Sequence, residues 1–562
     1  MIKLFFLFFL IMPALSQHHA IVTYKYSFNG NEMPDMPKLQ LSYANGLAKI
    51  VSLTDESVKR ADEKSYLDYS RRKAIQTVLF RNGKRYTVIT PFDEYPKPEL
   101  TGEYETILGY KCRKAKVVIR SNNIDIWFIE NSGLKGTPLL NQGAELGLVL
   151  KIIRNGNFVV EAEKVDTASD VKIEAIAEQD EIVDMPTYRE KITENNYTTI
   201  QVFSQDRLAF NNYIYHKLTD ETVKVFYYRK GALILTKVKL PENPWGKTII
   251  AELSTYSLGD AYDRTGSLFI IPTGKDISLL DVYEHSNLDT CLKFLPEYRS
   301  KNGRSYYGMV VNDNYTPLLE LMRFITPFGI NKYNDQVKVN RIKWEDSVIY
   351  KQDITDLAGV LKGGVWFGAF IGNYDPNGHM INLKLKYFPD DPDAKEIMEK
   401  ETWIQPVINT VNILETSGQE NGTMFNTDTL SAWIEIPEGL KSLKLRYIST
   451  GHGGWDGGDE FSQKLNEIFI DGKRVYSYIP WRTDCGMFRK YNPASGNFSN
   501  GMSSSDFSRS GWCPGSISVP VDIPLTGLKP GRHRIGVYIP IGKPEGNSFS
   551  SWNVSAVLIG VY

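Results

Sequence analysis

The chain has 562 residues, several times a ~150-residue domain, so two to four domains are expected. Apolar residues make up 42% and charged residues 23%, which excludes a disordered chain. The net charge of −1 lacks the basic surplus that a nucleic-acid binder needs, and 12% aromatics with 44 Gly and 27 Pro favour short strands and turns over helical bundles.

Lys3, the nine apolar residues Leu4–Met12 and the small residues around Ala14–Ser16 predict a secretory signal peptide over residues 1–16. That run is too short to span ~30 Å of hydrocarbon, and no later segment reaches 18 apolar residues in succession. An exported protein, periplasmic or secreted and without a transmembrane segment, is expected. Residues 17–190 form a β-rich N-terminal unit, closed by the acidic, weakly periodic stretch Thr167–Glu194. Residues 191–392 and 393–562 each have the length of one β-sandwich, and Pro389-Asp390-Asp391-Pro392 with a charged helix over Asp391–Thr402 reads as the linker between them. The polar stretch Glu284–Pro317 reads as an insertion over a sheet edge.

Period-two alternation dominates the last two segments. Leu383, Leu385 and Tyr387 share one face opposite Asn382, Lys384 and Lys386, and Leu443, Leu445 and Tyr447 repeat this opposite Lys444 and Arg446. A short helix is expected after Asp353–Asp356, a hairpin at Asp471-Gly472, and a half-buried strand at Ile535, Val537 and Ile539. A faint internal echo links two places. Ala251–Thr255 runs into a Gly/Asp loop holding Asp263 before the strand Leu268–Ile271, and Leu443–Thr450 runs into a Gly/Asp loop holding Asp459 and Glu460 before the strand Leu465–Ile470. Loops are commonly Gly/Asp-rich, so the echo is either incidental or a sign that two sandwiches each present one carboxylate at a shared seam.

The loop Ser449–Glu460 is the most unusual stretch, with five glycines around His452, Trp455, Asp456, Asp459 and Glu460. An aromatic face with carboxylates suits a sugar, whereas a phosphate loop lacks its Lys-Ser/Thr and a calcium loop lacks the EF-hand spacing. The histidines show no HxH or HExxH spacing and no GxSxG occurs, so no metal site and no serine-hydrolase elbow is expected; carboxylates are the available catalysts. In Asp506–Gly515, Arg509 leans towards ligand contact, while Trp512 reads either as ligand contact or as packing on a disulfide. Cys485 and Cys513 bracket one polar segment and form the plausible bridge, a loop closure of ~3–4 kcal/mol in the entropic model. Cys112 and Cys291 either pair or are buried thiols, the commoner fate of intracore Cys.

These motifs, in order, resemble the peptide-N-glycosidase F family, amidases that remove asparagine-linked glycans. Tyr262-Asp263-Arg264 resembles a Trp-Asp-Arg motif, Arg323–Phe328 is close to RFITPY, and Asp353–Asp356 is similar to DVTD. Asp459-Glu460 resembles the loop of the second acid, and Arg509–Gly515 resembles RAGWCPG. The resemblance implies an all-β fold of two adjacent antiparallel jelly-roll sandwiches, eight strands each, preceded by a β-rich N-terminal domain like the bowl-shaped one of longer members, whose motifs Gly133–Leu140 is similar to. It further implies catalytic Asp263 and Glu460, substrate contacts from Arg264, Arg509, Trp512 and Tyr374, no cofactor, and N-glycosylated proteins or glycopeptides as partners of a monomer. Asp459, His452 and Trp455 are added as substrate-binding from the loop itself. The sequence departs from the family where a third acid falls on Gly372, with Asp375 as a nearby substitute, and where two of the family's disulfides are absent. A glycan-binding protein without catalysis, a glycoside hydrolase using two carboxylates, and an exported scaffold are the rival readings.

Overall fold

The computed structural model describes residues 19–54, 61–80, 82–174, 181–244, 248–283, 292–388, 401–415, 419–426, 428–453, 458–541 and 550–562. The predicted signal peptide, Cys291, the Pro389–Pro392 linker, nearly all of the predicted 391–402 helix, and Trp455 with Asp456 lie outside the described residues. Thr402, the last residue of that predicted helix, instead opens a strand, Thr402–Asn409.

Contacts divide the chain into two units, residues 1–196 and 197–562. In the first, alternating hydrophobic strands build one 13-stranded sheet, antiparallel but for one short parallel pair. Its central strand His19–Phe28 buries Ala20, Val22 and Tyr24, and the Tyr24 hydroxyl donates to the Val149 carbonyl at 2.6 Å. Cys112 is a buried free thiol whose pKa burial pushes up to about 11. The stretch read as weakly periodic holds the helix Met185–Asn195, which Asp184 caps by accepting the Thr187 N–H.

In the second unit the sheets pair into two sandwiches. The first sets the four-stranded sheet containing Ile249–Ser257 and His379–Tyr387 against a six-stranded sheet containing Thr265–Ile271, Leu319–Ile325 and Gly363–Ile371. Leu383, Leu385 and Tyr387 are buried as the alternation predicts. The second sandwich has two four-stranded sheets, one containing Ser442–His452 and Ser551–Val561, the other Asn466–Ile470 and Gly531–Tyr538. The predicted hairpin forms, with Asp471 and Gly472 both at positive φ (50° and 79°), the conformation a two-residue turn needs. The short helix after Asp353 is a 3₁₀ turn over Thr355–Val360.

The two sandwiches share a buried seam. Val557 and Ile559 of the second pack into the core of the first, and Ile517–Ser518 adds a strand to the sheet edge at Arg323–Phe324. The strand Leu319–Ile325 is buried throughout; its Arg323 pairs with Glu320 at 2.6 Å and donates to Thr450 and to the Asn553 carbonyl across the seam. The described part of the polar insertion does more than cover a sheet edge: Tyr306, Met309 and Val311 join the second sandwich's core, and Val311 N–H donates to the Val407 carbonyl.

Candidate active site

Two loops carry acids to this seam, each crossing from one sheet of its sandwich to the other. In the first sandwich, residues 258–264 connect Ile249–Ser257 to Thr265–Ile271. Three bonds from Tyr333 and Thr326 pin the loop. Tyr333 donates its hydroxyl to the Gly259 carbonyl at 2.8 Å, Thr326 Oγ1 accepts the Arg264 N–H at 2.8 Å, and Thr326 N–H donates to the Arg264 carbonyl. A Cβ on Gly259 would come within 2.6 Å of Asp375 and Asn377, so only glycine lets the loop approach that closely.

In the second sandwich, the loop after Ser442–His452 is held from within by Asp459. Its side chain is fully buried, accepts the Trp552 indole N–H at 2.9 Å and faces Lys464 at 3.5 Å, while its N–H donates to Ser550 Oγ. The next residue, Glu460, is thereby turned the other way, into the seam.

Arg509 joins the two loops. Its guanidinium donates to Glu460 Oε1 at 2.9 Å and lies 3.7 Å from Asp263 Oδ2. Antiparallel backbone bonds to Arg482, the Ser504 and Phe507 carbonyls, and the Phe461 and Trp512 rings hold it fully buried. The disulfide between Cys485 and Cys513 closes the segment that carries it. Asp263, Glu460 and Arg509 line one cleft of about 430 Å³, walled by Tyr262, Phe328, Phe461 and Phe498.

One cation thus faces two carboxylates. Burial pushes the Glu460 carboxyl up to about 7, the charge of Asp263 adds to this, and Arg509 only partly opposes it. Burial likewise raises Asp263 against the pull of Arg509, and its Oδ2 is buried without a hydrogen-bond partner. Such a pair holds a proton between its members near neutral pH and exchanges it as a unit.

Arg264 is bonded to a different carboxylate, although its charge also pulls on the Asp263 carboxyl. Asp260 grips it with bonds of 2.8 and 3.2 Å, and its guanidinium lies between the rings of Tyr262 and Tyr374. Burial works against ionisation of Asp260, yet His379 and Arg264 hold its carboxyl down at about 2. Sequence reading passed over Asp260, although its spacing of four residues from Arg264 was visible.

Two of the expected substrate contacts, Asp459 and Trp512, are buried and do not line the cleft. Asp459 is a buried loop anchor with no open face. Trp512 is 3% exposed, donates its indole N–H to the Gly451 carbonyl, and packs under Arg509, so it supports the site from behind. His452 stacks on Trp512 at 5.4 Å and bonds Thr450; burial, with Arg323 adding to it, lowers its pKa to about 3 and keeps it neutral. Tyr374, by contrast, is 54% exposed beside Arg264. Asp375, the suggested stand-in for a third acid, accepts the N–H groups of Asn377 and Gly378 and serves as a turn former. Phe461 and Phe498, part of the cleft wall, carried no periodic or motif signal in their polar loops.

Family models match the chain in three consecutive stretches: the N-glycanase peptide N-terminal domain over residues 22–190, the peptide-N-glycosidase F N-terminal domain over 199–387, and the peptide-N-glycosidase F C-terminal domain over 420–559. A structure of PNGF-II in a P21 crystal is 38% identical, covers 97% of this chain and 99% of that one, and gives a TM-score of 0.89. A second PNGF-II structure, in a C2 crystal, is 38% identical with coverages of 96% and 98% and a TM-score of 0.85. No curated protein matches the chain. The chain belongs to the peptide-N-glycosidase F family.

Proposed function

We propose that this peptide-N-glycosidase F family member is an exported amidase that hydrolyses the bond between an Asn side-chain carbonyl and the first N-acetylglucosamine of an N-linked glycan. The observation that supports it most is the meeting of Asp263 and Glu460, almost 200 residues apart in the chain, on the single guanidinium of Arg509 in one cleft.

A neutral amide resists hydrolysis because its carbonyl is weakly electrophilic and its nitrogen is a poor leaving group. A carboxylate that takes a proton from water as it adds, and a carboxylic acid that protonates the departing nitrogen, together contribute typically ~10²–10⁴-fold. The pair suits both tasks, since a carboxyl with a pKa of about 7 is populated in either form at neutral pH. Asp263, whose Oδ2 has no partner, is assigned the proton transfer at the scissile amide. Glu460, from the opposite sandwich, orients and activates the water. Water adds to the carbonyl carbon, the C–N bond breaks, and the nitrogen leaves with a proton as a glycosylamine; the peptide keeps an Asp. Placing the two acids on opposite sides of a seam supplies orientation that no single loop provides. Arg509 keeps the developing negative charge compensated. Tyr374 and Arg264 contact the sugar, and glycoproteins or glycopeptides are the substrates. No cofactor enters these steps. Export is read from residues 1–16, and the disulfide is compatible with an oxidising compartment.

The test is incubation with a defined N-glycopeptide and mass analysis of both products. Release of intact glycan with a ~1 Da gain on the peptide is expected, the difference between Asn and Asp. A lectin releases nothing, and a glycoside hydrolase leaves N-acetylglucosamine on the peptide. Asp263→Asn is expected to lower the rate by ~10²–10⁴-fold; near-wild-type release by that variant would sink the assignment.

A further inference from the structure

Glu415 is a carboxylate that the mechanism above does not use. It follows Ile413 and Leu414, which are buried against Phe269 and Phe370 of the first sandwich, and its Oε1 accepts the hydroxyl of Tyr374 at 3.0 Å. Burial raises its carboxyl pKa, against the opposing pull of the Tyr374 hydroxyl and Arg264.

That carboxylate stands beside Gly372, a position without a side chain. A Cβ on Gly372 would stand 3.5 Å from Glu415 Oε1 and 3.5 Å from the Phe370 ring, ordinary contacts, and Gly372 has no positive φ that would demand glycine. Thus the segment after Thr402–Asn409 brings a carboxylate to the open space beside Gly372. Gly372 donates its N–H to the Thr265 carbonyl at 3.0 Å, which places this space beside the strand that begins two residues after Asp263.

From there a continuous surface leads to the acid cleft. The Arg264 guanidinium lies 5.8 Å from the Tyr374 ring and 5.1 Å from the Tyr262 ring, and Tyr262 also walls the cleft. Both tyrosines are more than half exposed, at 54% and 62%. Open aromatic faces beside a fixed cation and a carboxylate match a pyranose: its C–H face covers a ring, and its hydroxyl or acetamido N–H finds a charged acceptor.

We propose that Glu415, with Tyr374, Arg264 and Tyr262, forms a sugar subsite continuous with the acid cleft, in which the Glu415 carboxylate accepts a hydrogen bond from a hydroxyl or acetamido N–H of an N-acetylated sugar. The proposal rests on the amidase reading and deepens it, by adding a substrate-contacting acid supplied from the segment after Thr402–Asn409.

The test measures glycopeptide binding by titration calorimetry in an Asp263→Asn background, with and without Glu415→Ala, and measures kcat and KM in the wild-type background. Loss of the charged acceptor is expected to weaken binding and raise KM about tenfold, with kcat changed less and the melting temperature unaltered. Returning the carboxylate from the other side, in Gly372→Glu with Glu415→Ala, is expected to restore most of the lost affinity, which a merely structural role for Glu415 would not allow. A folded Glu415→Ala protein with unchanged binding and KM overturns the subsite, as does a folded double variant that recovers nothing. If the wild type binds glycopeptide but releases no glycan, the amidase reading fails, while the calorimetric contrast still decides on Glu415.

Discussion

Glu460→Gln separates the electrostatics of the acid pair from everything else in the fold. Glutamine keeps the shape and still accepts the Arg509 N–H, but carries no charge and no titrating proton. In the wild type, burial first and Asp263 second move the Glu460 carboxyl from 4.5 to about 7. Between those values the folded chain holds a proton that the unfolded chain has released. Stability therefore falls as pH rises across that window, and above it the deficit is about 3 kcal/mol at 1.36 kcal/mol per pKa unit. The variant lacks this deficit and leaves Arg509 to Asp263 alone. It is expected to match the wild type near pH 4.5 and to exceed it by about 2–3 kcal/mol at pH 8. Glycan release should meanwhile drop by ~10²–10⁴-fold. Urea unfolding at half-unit pH steps, paired with the glycopeptide assay, reads both effects. Parallel stability curves for the two proteins from pH 5 to 8 would refute the reasoning, because they would mean that Glu460 ionises as easily in the fold as out of it.

Arg509→Met removes the one cation between two buried acids and should cost about 3–5 kcal/mol at pH 8 with glycan release abolished. The cost should shrink as pH falls from 8 towards 5 and Glu460 takes up its proton; urea unfolding at the two pH values distinguishes this from a loss of packing alone. Asp260→Asn breaks the grip on Arg264 at 2.8 and 3.2 Å, and is expected to lower kcat/KM about tenfold and stability by about 1–3 kcal/mol. Because the Asp260 carboxyl is held at about 2, its contribution is complete above pH ~4 and disappears as pH falls through 2, so wild type and variant should converge in acid unfolding.

Much of this architecture follows from the sequence because strands obey a short rule. Leu383, Leu385 and Tyr387 point inward because side chains alternate along a strand, and Asp471-Gly472 turns a hairpin because both residues tolerate positive φ. The paired loops were visible for the same reason: each interrupts an alternating run and carries an acid. Within a loop no period exists, so nothing in Gly451–Glu460 distinguishes the acid that faces the seam from the one that faces the core. That decision belongs to Trp552, 93 residues further on, whose indole N–H captures Asp459 and leaves Glu460 free to meet Arg509.

What the sequence by itself determined is the family and the strands that frame the candidate site, where two loop carboxylates, an arginine and a bridge stand in β-sandwich loops. Tertiary structure alone decided which polar side chains stay open to a ligand. Trp512 and His452 are stacked behind Arg509, and Glu415 enters from a distant segment to fill the space beside Gly372. The physical reason is that burial and charge depend on neighbours brought together across the seam, and separation along the chain carries no record of those neighbours.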